Sequence, residues 1–312
     1  MKPDETTGVV LRAPSYVLGE TSSDHTEIEG FADFVDQRQM MPDARLWGWG
    51  AVHRTALDTA ALAVRTGRRT LRAAGVEPSE VDALVLCSTA FPADIAAHGE
   101  LIGSVLRGLE LGAVPVTGIT LNRCATMLTG LQTAATMVAA GRHRTVLVIT
   151  ADRVAAESER LSDFALFSDG AASCLVTRRS DGAPESYEWV ADASAQDPAA
   201  LGRGNEISAD LTRIANQRLF AEAGIGIKAI DGLLHNNIFL PIVTMKEVQA
   251  GFVPSQLDTS NIARVGHCFA ADPLINLVDR SSAGTIRAGG LYLLASSVSG
   301  LRVCILLRAD SA

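Results

Sequence analysis

The 312-residue sequence predicts an α/β fold of packed layers, built from two halves of similar βα order. Three observations carry this. Short apolar runs alternate with amphipathic stretches whose apolar residues recur at helical spacing. The run Arg144–Ala151 is apolar almost without interruption, as in a strand covered on both faces. After a polar stretch at Arg178–Pro184 the rhythm starts again, which divides the chain into residues 1–178 and 179–312. Residue-level repetition is too weak to establish a duplication by itself.

Taken in order, a helix is expected over about Ala56–Ala74, stopped by Gly75, and then a buried strand within Val81–Ser88. Ile95–Gly108 reads as a helix capped by Asp94, and Val114–Leu121 as a short strand. The run Ala125–Ala140 carries Leu128, Leu131, Ala135 and Val138 at spacings of three and four and ends at Gly141, so it is a helix. Phe167–Val176 is a turn entering a strand. In the second half, helices are expected over Ala209–Ala223, near Met245–Phe252 and from about Pro273. Strands are expected at Asp231–His235, Gly290–Ala295 and Leu301–Leu307.

Hydrophobic residues make up 47% of the chain and charged residues 20%, which permits a large core and excludes a disordered class. No apolar run reaches the roughly 20 residues of a membrane span, and the polar start lacks the apolar region of a signal peptide. Cys87, Cys124, Cys174, Cys268 and Cys304 are odd in number, scattered, and without a CxxC pair. Neither a disulfide framework nor a metal site is expected, and the reading is a reduced, cytoplasmic protein. A net charge of −8 disfavours nucleic acid as a partner. Arg203, Arg213, Arg218, Lys228 and Lys246 fall in one third of the chain. They read as solvated surface, with a docking patch for an acidic protein as the alternative.

Cys124 stands near the N-terminus of the apolar helix. Unpaired N–H groups and the helix dipole favour a thiolate there, and a thiolate is what a nucleophile requires. The alternative is a buried structural cysteine.

Five pieces in order carry a resemblance: Ala73–Leu86, the cysteine at 124, Phe167–Ala172, His235–Asn237 and the loop at Gly266. Together they resemble the thiolase superfamily, and within it the ketoacyl-ACP synthase III type. The resemblance implies a five-layer αβαβα thiolase fold of two pseudo-repeated halves, usually a homodimer, without a tightly bound cofactor. It also implies an acyl group carried on the cysteine and taken from a CoA or acyl-carrier-protein thioester.

The departures are informative. Condensing members carry His-Gln-Ala-Asn and later Gly-Asn-Thr, where this chain has His235-Asn236-Asn237-Ile238 and Gly266-His267-Cys268. Asparagine donates without titrating, whereas histidine accepts a proton. Asp272 follows His267 by five residues, similar to the Cys–His–Asp arrangement of synthase-III-like acyltransferases from natural-product pathways. The implied roles are acyl carriage by Cys124, general-base action by His267 on a small-molecule hydroxyl or amine, and orientation of the ring by Asp272. On that division, removal of His267 leaves self-acylation intact and abolishes transfer. Asp272 otherwise caps the helix, and His235 either assists at the thioester oxygen or persists as a bonded pocket residue. The oxyanion donors are expected to be the Cys124 N–H and one from Ser296–Gly300.

Asp169 reads as a structural turn residue and Cys268 as a poor second nucleophile. Trp47 and Trp49 either meet a CoA or pantetheine arm or pack in the core, and His25, His53, His98 and His143 have no assigned partner. The alternative functions are decarboxylative condensation, with His235 and His267 holding an enolate, and a non-catalytic partner subunit of a synthase.

Overall fold

The computed structural model describes residues 8–179, 186–202 and 207–310. The polar start at residues 1–6, residues 180–184 of the boundary stretch, and Arg203 lie outside the described residues. The first elements are β1 (Val9–Leu18), β2 (Thr21–Asp24), α1 (Phe31–Gln37), α2 (Ala44–Trp47) and β3 (Ala51–Arg54). Next come α3 (Thr59–Ala74), β4 (Ala83–Cys87), α4 (Ile95–Gly108), β5 (Val116–Ile119), α5 (Thr126–Ala139), β6 (Thr145–Asp152) and β7 (Gly170–Arg178). The remainder comprises β8 (Ser186–Gln196), α6 (Ala209–Ala223), β9 (Gly232–Leu234), α7 (Leu240–Gln249) and α8 (Ser260–Val265). It closes with α9 (Asp272–Ser282), β10 (Leu291–Val298) and β11 (Leu301–Ala309).

The large sheet runs β5-β4-β6-β7-β1-β8-β11-β10-β9. Its pairing repeats. β4 lies parallel to β6, which is antiparallel to β7, which is antiparallel to β1. In the same way β9 lies parallel to β10, which is antiparallel to β11, which is antiparallel to β8. The halves meet where β1 pairs with β8. Among the described residues the second half has no counterpart of β5.

Successive strand residues face opposite sides, so each half of the sheet feeds two cores. On one outer face, Leu62 and Leu71 of α3 and Val105 of α4 pack on Leu84, Leu147 and Leu175. On the other, Leu211, Ala215 and Leu219 of α6 pack on Leu233, Leu293 and Leu306. Between them, Leu128 and Leu131 of α5 and Leu274 and Ile275 of α9 share one core with Val85 and Val148 of the first half and Leu294 and Ile305 of the second. Helix, sheet, helix, sheet, helix is the five-layer order expected from the resemblance.

Caps fix the helix starts. Asp58 accepts from Ala61 N at 2.7 Å, Asp94 from Ala96 N at 2.6 Å, and Ser208 from Leu211 N at 3.2 Å. Two expectations shift. The helix placed at Met245–Phe252 is α7 at Leu240–Gln249, because Pro241 sits in its first turn, where a proline starts a helix instead of breaking one. Lys246, grouped with surface cations, is buried and pairs with Glu247 at 2.9 Å.

α5 approaches β4 so closely at Gly130 that an added Cβ would stand 2.5 Å from Cys87 Sγ. Gly130→Ala is therefore expected to lower unfolding stability by about 1–3 kcal/mol, read from the urea midpoint at unchanged slope.

Candidate active site

The two central helices are equivalent in the repeat, α5 lying between β5 and β6 and α9 between β9 and β10. Each is entered through one turn of 3₁₀ helix, Arg123–Ala125 and Phe269–Ala271, whose first residue has positive φ (51° at Arg123, 52° at Phe269). A non-glycine residue held there costs about 1–3 kcal/mol, which the packed surroundings sustain. Gly266, at φ 70° and ψ −163°, turns the chain just before His267 where only glycine fits.

These two elbows bring Cys124, His267 and Asp272 together. His267 Nε2 stands 3.3 Å from Cys124 Sγ, and its Nδ1 bonds Asp272 Oδ2. The carboxylate also accepts from Asn237 N at 2.6 Å and Cys268 N at 2.7 Å. Asp272 is the first residue of α9 and its side chain does not cap the helix, so the capping alternative is set aside. Because a carboxylate only accepts, Nδ1 carries the hydrogen and Nε2 faces the sulfur. Burial opposes charge on His267, but Asp272 and Cys124 outweigh it and hold the imidazolium up to about pH 10. Phe167 and Phe269 flank the ring at 4.9 and 6.1 Å between centroids.

A frame of amides and hydroxyls sets the elbows against β10. Ser296 Oγ lies 2.7 Å from both the Cys124 carbonyl and Asn236 Oδ1, to one of which it donates at a time. Ser297 N donates to the same Asn236 oxygen at 3.0 Å. Asn276 Nδ2 reaches the His235 carbonyl at 2.9 Å and Asn237 Oδ1 at 3.1 Å. Sequence reading put Asn236 and Asn237 in the His235 motif and Ser296 in the oxyanion loop without giving them this framing role, and it missed Asn276, a polar residue inside an otherwise apolar helix start.

His235 stands apart. It is buried, does not line the Cys124 pocket, and bonds the Asn236 carbonyl through Nδ1 at 2.6 Å. A carbonyl accepts only, so the hydrogen sits on Nδ1 and Nε2 is a bare lone pair, without a partner among the described residues. Burial pushes its pKa down to about 4 against the pull of Glu247.

The pocket beside Cys124 is small, about 80 Å³, with Phe164, Ile238 and Val298 as apolar walls. A larger groove of about 550 Å³ runs along the arginines of α3 and contains none of the candidate residues. Ser297 N is committed to Asn236 and Val298 pairs with Leu301, which leaves Ser299 in the hairpin as the second oxyanion candidate. Cys268 is buried and its thiol is pushed well up by burial and by Asp272. Asp169 accepts from Thr55 N and Val154 N, both at 3.0 Å, and pairs with buried Arg160, as a structural turn residue does. Trp47 stacks on Trp49, and both contact Phe239, which favours packing over a CoA contact. His53 and His98 bond backbone carbonyls, His143 lies 3.6 Å from Asp82, His25 packs against Phe31 and Trp49, and among the described residues no group of acids, histidines and cysteines could hold a metal.

Comparisons with known proteins find synthase III sequences and thiolase-like folds among what this chain resembles. The family model for 3-oxoacyl-(acyl-carrier-protein) synthase III matches residues 120–193, which include Cys124. The beta-ketoacyl-(acyl-carrier-protein) synthase III of Geobacillus kaustophilus is 25% identical over 265 residues, covering 78% of this chain and 81% of the relative. That of Rickettsia akari is 26% identical over 270 residues, with the same coverage. Among solved structures, the acyltransferase ChlB3 matches with a TM-score of 0.77 at 18% identity, over 97% of this chain and 98% of that one. An OleA variant from Xanthomonas campestris reaches 0.82 at 14% identity, over 96% and 98%. The synthase III of Pseudomonas aeruginosa gives 0.77 at 20%, over 97% and 98%. These structural likenesses establish the fold.

The two histidines make opposite contributions to stability with pH. His235 titrates lower in the folded state than its usual value near 6.5, so its contribution is present above about pH 6.5 and lost as pH falls towards 4. His267 titrates higher when folded, so its contribution is full below about 6.5 and lost as pH rises through 10. The melting temperature is expected to fall from pH 6.5 to 4, and less steeply in His235→Asn. An equal acid slope in both proteins would show that His235 is not the group responsible.

Proposed function

We propose an acyl-transfer function on one premise: the chain is a ketoacyl-synthase-III-like protein of the thiolase superfamily. The observation that carries the proposal is the line Cys124–His267–Asp272, with a titratable imidazole against the sulfur. In the resting site His267 Nε2 faces the Cys124 sulfur at 3.3 Å and holds the proton that the sulfur gives up on attack. The thiolate attacks the carbonyl of a CoA or acyl-carrier-protein thioester, and the Cys124 N–H and that of Ser299 hold the oxyanion. The S–C bond to the carrier breaks, and the carrier thiolate leaves with the proton from His267.

Acylation of the sulfur removes one cause of the raised His267 pKa. The neutral ring is then the base for the second half. It takes the proton of an acceptor hydroxyl or amine as that atom attacks the acyl carbon, and Cys124 departs as thiolate beside the restored imidazolium. General-base help of this kind contributes roughly 10²–10⁴-fold. Asp272 holds the ring throughout.

Relatives named as synthases make decarboxylative condensation the second reading. That chemistry asks the site to donate hydrogen bonds to an enolate oxygen. His235 is ill-suited, because its proton faces the Asn236 carbonyl and its free nitrogen can only accept. A non-catalytic subunit is disfavoured, since an assembled triad has no use in a scaffold.

A homodimer completes the proposal. β5 is the end strand of the sheet, and Leu121, two residues past it, is 91% exposed. A second copy laid against this edge would cover that side chain.

Intact mass after incubation with acyl-CoA and acyl-carrier-protein donors is expected to show a gain that Cys124→Ala abolishes. His267→Ala is expected to slow acylation as well as transfer, transfer by a further 10²–10⁴-fold, because the ring contacts the sulfur. This revises the division of roles expected from the sequence. Release of carbon dioxide from a malonyl donor together with carbon–carbon bond formation would overturn the acyl-transfer reading. Leu121→Glu is expected to halve the solution mass in light scattering, and an unchanged mass would dismiss the β5 interface.

A further inference from the structure

The Cys124 pocket holds a cation that the triad does not use. Arg123 lines it, one residue before the nucleophile. Of its five N–H donors, one reaches the Ser299 carbonyl, and among the described residues the guanidinium has no carboxylate partner. Two serines also line it: Ser299 Oγ donates to the Ala200 carbonyl at 2.7 Å, and Ser297 has its oxygen engaged by Arg302 Nη1 at 2.9 Å, which leaves the Ser297 hydroxyl its hydrogen to donate. Arg302 is itself buried and shares Glu247 with Lys246, two cations to one carboxylate. Among the described residues no acid lines the pocket, and Asp272 lies behind His267. A half-buried guanidinium among apolar walls favours an anion, and its planar fork suits a carboxylate.

We infer that Arg123 seats a carboxylate within reach of Cys124, so that one of the two molecules meeting there is an acid: a carboxylated acyl group on the donor, or a carboxylated acceptor. Carrier phosphate is a poorer candidate, because it lies a full pantetheine arm away from the thioester carbon, whereas Arg123 adjoins the reacting sulfur. The inference rests on the acyl-transfer reading only for what the acid belongs to. Recognition of charge can be tested without it.

The probe is a matched pair of alkylating agents, iodoacetate and iodoacetamide, which differ only in carboxylate against carboxamide. The other four cysteines are buried, so intact mass reports Cys124. Relative to the same pair on a free small thiol, the iodoacetate-to-iodoacetamide rate ratio is expected to rise about tenfold or more. Arg123→Gln should remove most of that rise, leaving what the neighbouring His267 contributes, and Arg123→Lys should keep part of it. Melting curves of both variants report folding, and the lysine variant keeps the test open if the glutamine one is unstable.

A ratio at the free-thiol value in the wild type would overturn the inference. So would an equal loss of both rates in Arg123→Gln, which would mean that the guanidinium serves the thiolate alone. With the ratio raised, self-acylation by malonyl- and succinyl-CoA against acetyl- and butyryl-CoA names the source. A preference for the acids that Arg123→Gln removes places the carboxylate on the donor, and its absence places it on the acceptor. A raised alkylation ratio with no acylation by any donor would sink acyl transfer and leave carboxylate recognition standing.

Discussion

One carboxylate fixes the geometry on which the chemistry depends. Asp272 binds the His267 ring and the backbone of Cys268 and Asn237, and so ties the loop before α9 to the segment after β9. It does so without solvent contact, where an unpaired charge would be very costly. The ring it holds then reaches across to a sulfur on the other central helix. Removing the carboxylate would therefore disturb tautomer, ring position and two backbone bonds at once. Ser296 completes the frame from β10, so three elements distant in sequence meet around one thiol.

The interior of the fold was legible because its strands are continuous apolar runs and its helices carry caps and glycine stops. β4, β6, α3, α4, α5 and α6 follow from Leu, Val and Ala patterning with Asp94, Gly75 and Gly141 as punctuation, though the Asp58 cap that starts α3 was not read. The strands at the seam were not legible. β1 contains Arg12 and Pro14, and its register shifts between Arg12 and Ser15, so the alternating pattern is broken where a bulge forms. β8 carries Glu188 and Asp192, charges answered only in three dimensions by Arg308 and Gln132. Of the site, Cys124, His267 and Asp272 were readable from spacing and resemblance. The role of His235 was not, because a tautomer depends on which backbone group faces the ring.

That last point separates two chemistries on one scaffold. A histidine and an asparagine that both donate suit an enolate, while a histidine that titrates against a cysteine suits proton transfer. The chain has a titrating residue at 267 and, at 235, a ring with its donor turned away from the pocket. Neither change alone would serve. Exchanging the asparagine while keeping a donating His235 would leave a site equipped in part for each reaction, and the small pocket gives little room for both substrates.

The equivalence of the two elbows bears on ancestry. Arg123 and Phe269 share a backbone conformation and a place in the repeat, so Cys124 corresponds to Ala270. An ancestor assembled from two copies of a single half would have presented the same residue at both positions, facing itself across a twofold axis. In this chain one elbow carries a thiol, and the other has Ala270 in that place with a base three residues before it. The asymmetry of the site therefore lies in side chains carried on a shared backbone form, and a half expressed alone would carry either a nucleophile without a base or a base without a nucleophile.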